Sequence, residues 1–275
     1  MRRITTLLAC GVLAVGLAGC QKDGGAGLAE KLDQIDKRLA SIEKNLASGG
    51  GAARPGPRGK NQRRPQRPRP DAKTTYSVPV EGSPSTGAAT AKVTIVKGFE
   101  FACPFCMRVI PTLDQIKKEY GNDVRIVYKN FIVHPSTATI PALASCAAHL
   151  QGKYDQMAKL IWEKGFKANR NLSKDNMLAL AKEAGLDMSK FTKDLDGPQC
   201  KKKVRQDQAE LAKVGTTGTP AFYINGRFLS GARPFDQFKV LIDEELKKAD
   251  QRIKGGTPAA KYYQEWVVKK GKKAL

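Results

Sequence analysis

Cys103-Pro104-Phe105-Cys106 decides how this chain is read, and a Thr219-Pro220 pair far downstream sharpens the reading. A CxxC alone suits a redox dithiol, half of a zinc site or two unrelated cysteines. Its setting narrows the choice. The run Val93-Thr94-Ile95-Val96 has the composition of a short buried strand, and Cys103 follows it closely. Pro104 stands where a helix opens, and Ile110, Leu113, Ile116 and Lys117 continue at helical spacing. Strand, CxxC and helix together place Cys103 at a helix N-terminus, where unpaired N–H groups and the macrodipole stabilise a thiolate. Cys106, one turn further in, is the shielded resolving thiol. A Cys₄ zinc site would need a second close-spaced pair, which Cys146 and Cys200 do not supply.

With these motifs the chain resembles the DsbA-like thiol–disulfide oxidoreductases of the thioredoxin superfamily. The matching stretches are Val93–Phe99 leading into Cys-Pro-Phe-Cys, and Gly218-Thr219-Pro220-Ala221-Phe222 leading into Ile224-Asn225-Gly226. Between them, Ser145-Cys146-Ala147-Ala148 and Gln151-Gly152-Lys153-Tyr154 are similar to that family's helical insertion. The resemblance covers residues 76–250 and implies an α/β, thioredoxin-like fold with a helical insertion at about 135–214. It implies catalysis by Cys103 and Cys106, with Pro220 as a cis-proline beside the dithiol and Thr219 offering backbone groups to a client strand. It also implies a structural Cys146–Cys200 disulfide, closing a loop of about 55 residues and worth on the order of 4 kcal/mol. No separate cofactor or metal is called for, because the cysteine pair is itself the redox group.

Two departures from the family pattern bear on the potential. Where the family often has a buried acid, six residues before the first cysteine, this chain has Lys97. A lysine near Cys103 would lower its pKa and favour the reduced form, and Glu100 is placed to take over proton handling. Between the cysteines, Pro104 and Phe105 offer no side-chain donor of the kind a histidine would give. His134 and His149 lie far from the CxxC in sequence and read as structural.

The first residues have the form of an export leader. Met1-Arg2-Arg3 precedes an apolar stretch from Leu7 to Ala18, too short to span a membrane comfortably. Leu17-Ala18-Gly19-Cys20 resembles the lipobox of bacterial lipoproteins, implying a signal peptide at 1–19, lipidation of Cys20 and a lipidated N-terminus at 20–27. The expected location is the bacterial cell envelope, facing the periplasm, and Gln21 resembles outer-membrane sorting. The alternative is an ordinary signal peptide with an incidental cysteine. Of the six cysteines, Cys10 then leaves with the leader and Cys20 carries the lipid. Four remain in an oxidising compartment.

Residues 28–48 read as a coiled-coil helix. Leu28, Leu32, Ile35, Leu39, Ile42 and Leu46 keep a heptad, with leucine at a and mostly isoleucine at d, which leans toward a homotrimer or homotetramer. Lys31 facing Asp36 and Arg38 facing Glu43 suit parallel association; a lone amphipathic helix is the alternative. Residues 49–75 then turn Gly-, Pro- and Arg-rich, the composition of a spacer, of which residues 49–72 alone could reach about 75 Å at polyproline rise. Lys and Arg total 48 against 26 Asp and Glu, for a net charge of +22. An exported lipoprotein meets no nucleic acid routinely, so the charge reads either as a match for anionic lipid or envelope polymers or, equally, as a solvated basic surface that prevents aggregation. Residues 251–275 form a basic C-terminal extension with a short helix around Tyr262–Val268.

Further elements are expected at Val124–Phe131 (strand), Thr137–Leu150, Tyr154–Trp162, Ser173–Ala184 and Gln199–Val214 (helices), and Pro234–Lys247 (closing helix). Asn225-Gly226 between Ala221–Ile224 and Phe228–Leu229 is a type I′ hairpin signal. Several functions are compatible with this organisation, among them a dedicated reductant in cytochrome maturation, which the acidic Glu100 beside the CxxC would suit. A thiol–disulfide oxidoreductase would act on cysteine-containing exported proteins and be recycled by an unidentified membrane redox partner. An oligomeric disulfide isomerase would use the stalk. A redox-inactive envelope-binding scaffold would keep only the fold.

Overall fold

The computed structural model describes residues 24–47 and 69–275. The expected leader, Cys10, Cys20 and the spacer up to residue 68 lie outside the described residues. Helix α1, Gly24–Ala47, belongs to one compact unit, and the residues from 69 onward belong to another.

In the larger unit, two runs of β-branched and aromatic residues pair in parallel as β2 (Val93–Phe99) and β3 (Val124–Asn130), after the short β1 (Ser85–Thr86). Parallel neighbours need a crossover. It is supplied by α2 (Pro104–Arg108) and α3 (Ile110–Tyr120), so the CxxC opens the crossover at the C-terminal end of β2. On its other side β2 pairs antiparallel with β4 (Ala221–Ile224), and β4 with β5 (Arg227–Ser230), giving the order β1-β3-β2-β4-β5. Every residue of β2 is buried, as expected for a central strand covered on both faces.

Strand alternation divides the core. Val93, Ile95, Val124, Ile126, Phe222 and Ile224 pack against α3 and α9 (Phe235–Lys254). Val96, Val127 and Tyr223 face the other way, toward Leu211, Tyr262, Tyr263 and Val267. Between β3 and β4 run the inserted helices α4 (Pro135–Leu150), α5 (Tyr154–Leu160), α6 (Lys174–Glu183), α7 (Met188–Asp196) and α8 (Pro198–Lys213). Helix α5 continues as a π-helical stretch, Ile161–Ala168. The Cys146–Cys200 disulfide joins α4 to α8, with Cα atoms 5.6 Å apart.

Several boundaries differ from expectation. The CxxC helix is broken at Val109, because Pro111 has no N–H to continue the ladder. Helix α9 runs on to Lys254, past the expected domain end at 250. The residues assigned to a basic extension are part of the fold: Lys272 N–H donates to Thr75 O at 2.9 Å and Ser77 N–H to Lys272 O at 2.9 Å. Helix α10 (Ala259–Tyr262) and its π-helical continuation Tyr263–Val268 supply Tyr262, Tyr263 and Val267 to the core. The last residues assigned to the spacer belong there too, with Ala72 O accepting from Arg227 Nε at 3.0 Å.

Candidate active site

The turn between β2 and α2 builds the site. Cys103 is the N-cap of α2, and its carbonyl accepts from Cys106 N–H at 3.1 Å and Met107 N–H at 3.3 Å. Cys103 and Cys106 are both free thiols and both buried, while Pro104 and Phe105 face solvent, Phe105 with 49% of its surface exposed. The Arg108 guanidinium stacks over the Phe105 ring at 4.9 Å.

The two thiols are driven apart. The hydrogen bond from Cys106 lowers the Cys103 pKa to about 6, against the opposing effect of burial, helped by the Thr219 side chain and the backbone N–H groups of Cys106 and Phe105. Burial pushes the Cys106 thiol far up, and the bond it gives to Cys103 adds to this. One sulfur is therefore a thiolate at neutral pH and its neighbour a protonated donor.

Thr219-Pro220 closes the site from the other side. The peptide bond between them is cis, and the Thr219 carbonyl oxygen lies 3.4 Å from Cys103 Sγ. Residues more than a hundred positions apart in the sequence thus meet because β4, which follows Pro220, pairs with β2.

Lys97 sits differently from its expected place beside Cys103. It is 2% exposed, and its ammonium donates to the carbonyl of Cys106 at 3.4 Å. Phe99, Trp162 and Tyr128 surround it, with ring centres 5.1, 5.8 and 6.0 Å from Nζ. Burial lowers its pKa to about 8, and the nearby thiols work against that. Its charge acts on Cys106, whose pKa it lowers, rather than as a leading influence on Cys103.

Glu100 is wholly buried, and its Oε2 accepts from the backbone N–H groups of Val133 at 2.7 Å and His134 at 2.9 Å. Its Oε1 meets His134 Nδ1. That ring, read from the sequence as remote and structural, is therefore coupled to the active-site turn. The signal was in the register: β2 and β3 run parallel, so the residues that follow them emerge at the same end of the sheet. His149 lies away from the dithiol, edge-on to Tyr154 at 6.4 Å.

Residues 80–244, more than half of the chain, match a family model described as thioredoxin. The chain belongs to the thioredoxin family. A thioredoxin-like oxidoreductase from Silicibacter pomeroyi DSS-3 is 25% identical, with a TM-score of 0.56 over 61% of this chain and 94% of that one. BdbD from Bacillus subtilis, in its oxidised crystal structure, gives a TM-score of 0.58 at 22% identity, over 63% of this chain and 98% of that one. The second likeness is one of fold alone. The Na(+)/H(+) antiporter NhaA of Herminiimonas arsenicoxydans is 31% identical over 146 residues, 53% of this chain and 23% of the antiporter. This thioredoxin-family chain thus spans less than a quarter of that curated relative's length, and the antiporter name describes the whole of that protein. No described helix of the chain is long and apolar enough to cross a membrane.

Proposed function

We propose that this chain is a thiol–disulfide oxidoreductase of the bacterial cell envelope, acting on exported proteins that contain cysteines. The observation that carries the reading is the split between the thiols: a Cys103 thiolate at neutral pH beside a protonated, shielded Cys106. In the reducing direction the Cys103 thiolate attacks a client disulfide. The client S–S bond breaks, one client sulfur leaves as a thiolate and a mixed disulfide forms. Cys106 then attacks Cys103 Sγ as its proton passes to the departing second client sulfur, which leaves as a thiol. The client gains two electrons and the Cys103–Cys106 pair loses them. The reverse sequence oxidises a client dithiol, and a membrane redox partner would reset the pair.

The export leader and lipidation at Cys20 support an envelope location with a membrane anchor. A second reading, an oligomeric isomerase, is favoured by α1. Leu32, Ile35, Leu39 and Ile42 lie 51–54% exposed, an apolar heptad stripe suited to a second copy of the chain. In an isomerase the mixed disulfide is resolved by another client thiol, and several reactive sites surround one client. Reactivation of scrambled ribonuclease, with and without residues 21–72, separates the readings. Reactivation that disappears with the stalk supports the isomerase. Oxidation of reduced ribonuclease by both forms, without reactivation of the scrambled protein, supports the oxidase. A Cys103→Ser protein that retained full activity in both assays would overturn the thiol chemistry itself.

A further inference from the structure

Beside Lys97 lies a cleft that the thiol chemistry leaves unused. It measures about 620 Å³ and lies between α3 and the inserted helices, with Phe99, Tyr128 and Trp162 among its walls and Lys97 opening onto it. Lys97 is buried, yet its one hydrogen bond among the described residues is the 3.4 Å contact to Cys106 O, and no carboxylate there pairs with it. The other deeply buried lysine, Lys129, shows what is missing: it has Asp207 at 3.0 Å and Glu210 at 2.5 Å. Of the carboxylates lining the cleft, Asp114 is already engaged by Lys117 at 2.7 Å, and Asp155 and Glu163, which share the wall with Lys159 and Lys167, make no ion pair with Lys97.

A buried cation without a counter-charge is costly, and three aromatic rings offset only part of that cost. Cys106 is protonated at neutral pH, so of the two thiols near Lys97 only Cys103 brings negative charge, and its attraction is one of the influences that hold the Lys97 pKa up against burial. That charge exists while the pair is reduced and vanishes when Cys103 and Cys106 join. The cleft offers the vacant place for an anion and an apolar surface for whatever carries it.

We propose that this cleft binds a small organic acid, its carboxylate paired with Lys97 and its apolar body against Phe99, Tyr128 and Trp162. The acid supplies the counter-charge that the thiolate supplies in the reduced protein, so it binds the disulfide form more tightly. By reciprocity its presence favours that form. This redox dependence rests on the thiol chemistry proposed above, whereas the binding site does not.

The test is calorimetric titration of the oxidised protein with 4-phenylbutyrate and with its uncharged amide. The acid is expected to bind roughly tenfold or more tightly than the amide, the difference made by one charge-assisted contact. In Lys97→Met that preference disappears. Equal binding of acid and amide by the unmodified protein, or no binding of either, overturns the site without recourse to any variant. Repeating the titration on the dithiothreitol-reduced protein should weaken the acid several-fold. A selective acid site with equal affinity in both redox states overturns the coupling and leaves the site standing.

Discussion

Glu100 holds His134 through both of its carboxylate oxygens, Oε2 on the backbone N–H at 2.9 Å and Oε1 on the ring Nδ1. The carboxylate is buried and the imidazole is more than half exposed. The pair ties the N-cap of α4 to the turn that carries Cys103, whose N–H donates to Glu100 O at 3.4 Å.

The pair sets the two histidines apart. The Glu100 hydrogen bond raises the His134 pKa above its ordinary 6.5, whereas burial lowers that of His149. Proton NMR titration should show one imidazole changing above pH 6.5 and the other below it. Glu100→Gln should bring the upper one down. A raised folded-state pKa gives stability that is complete below 6.5 and lost as pH rises through the folded value. The wild-type advantage over Glu100→Gln should therefore shrink above neutrality. Coincident titration of the two rings would sink this account.

The alkylation rate of Cys103 by iodoacetamide should rise with a midpoint near pH 6, while Cys106 stays unreactive in the folded protein. Thr219→Val removes one of the donors to the thiolate and should move the midpoint upward. The pKa is depressed from 9.0, so the thiolate stabilises the reduced fold fully above pH 9 and ever less as pH falls toward 6. Urea midpoints of the reduced protein, compared with Cys103→Ser, should draw together as pH is lowered from 9 to 5. A constant gap would refute the thiolate contribution.

Much of the fold was legible because its central strands hold short runs of β-branched and aromatic residues. Ala221–Ile224 has the bounds the sequence implied, β2 runs three residues past the run Val93–Val96 that announced it, and Asn225 and Gly226 take the positive φ values of 42° and 85° that their hairpin signal demands. Helix α7 went unread because its buried face has only Phe191 and Leu195, too few to show a period. Strand β1 is two residues long and exists through its pairing with Val127 and Ile126. Within the site the cysteines announced themselves, but the Glu100–His134 pair joins residues 34 positions apart through the strand register, and no local pattern encodes it.

The ion cluster between β3 and α8 was equally invisible. Asp207, 1% exposed, meets Lys129 at 3.0 Å and Lys203 at 2.7 Å, and also accepts from Asn130 N–H at 3.2 Å. Asp207→Ala leaves the buried Lys129 ammonium with Glu210 as its one carboxylate and takes from Asn130 N–H its side-chain acceptor, and should cost about 3–5 kcal/mol in urea unfolding. Replacing both members of the central pair, Lys129→Met with Asp207→Leu, should cost less than the single change, because no buried charge is left without its partner. A double variant less stable than Asp207→Ala would show that the cluster contributes through packing rather than charge.

Helix α1 supplies the last prediction. Its exposed stripe carries Leu32, Ile35, Leu39 and Ile42, and the flank has its own ion pair, Lys37 to Asp33 at 2.7 Å. Helices in proteins draw most of their stability from packing an amphipathic face, so burial of the stripe against further copies would be the main source of stability for this 24-residue helix. Sedimentation equilibrium of residues 21–275 should give three or four copies, in keeping with leucine at a and isoleucine at d. Ile35→Asp with Leu39→Asp should yield a monomer whose Cys103 alkylation profile is unchanged, since the substitutions lie outside the catalytic unit. If scrambled-ribonuclease reactivation falls with the oligomer while alkylation does not, the stalk serves by gathering active sites. A wild-type protein that sediments as a monomer at all concentrations would remove the stripe from that role.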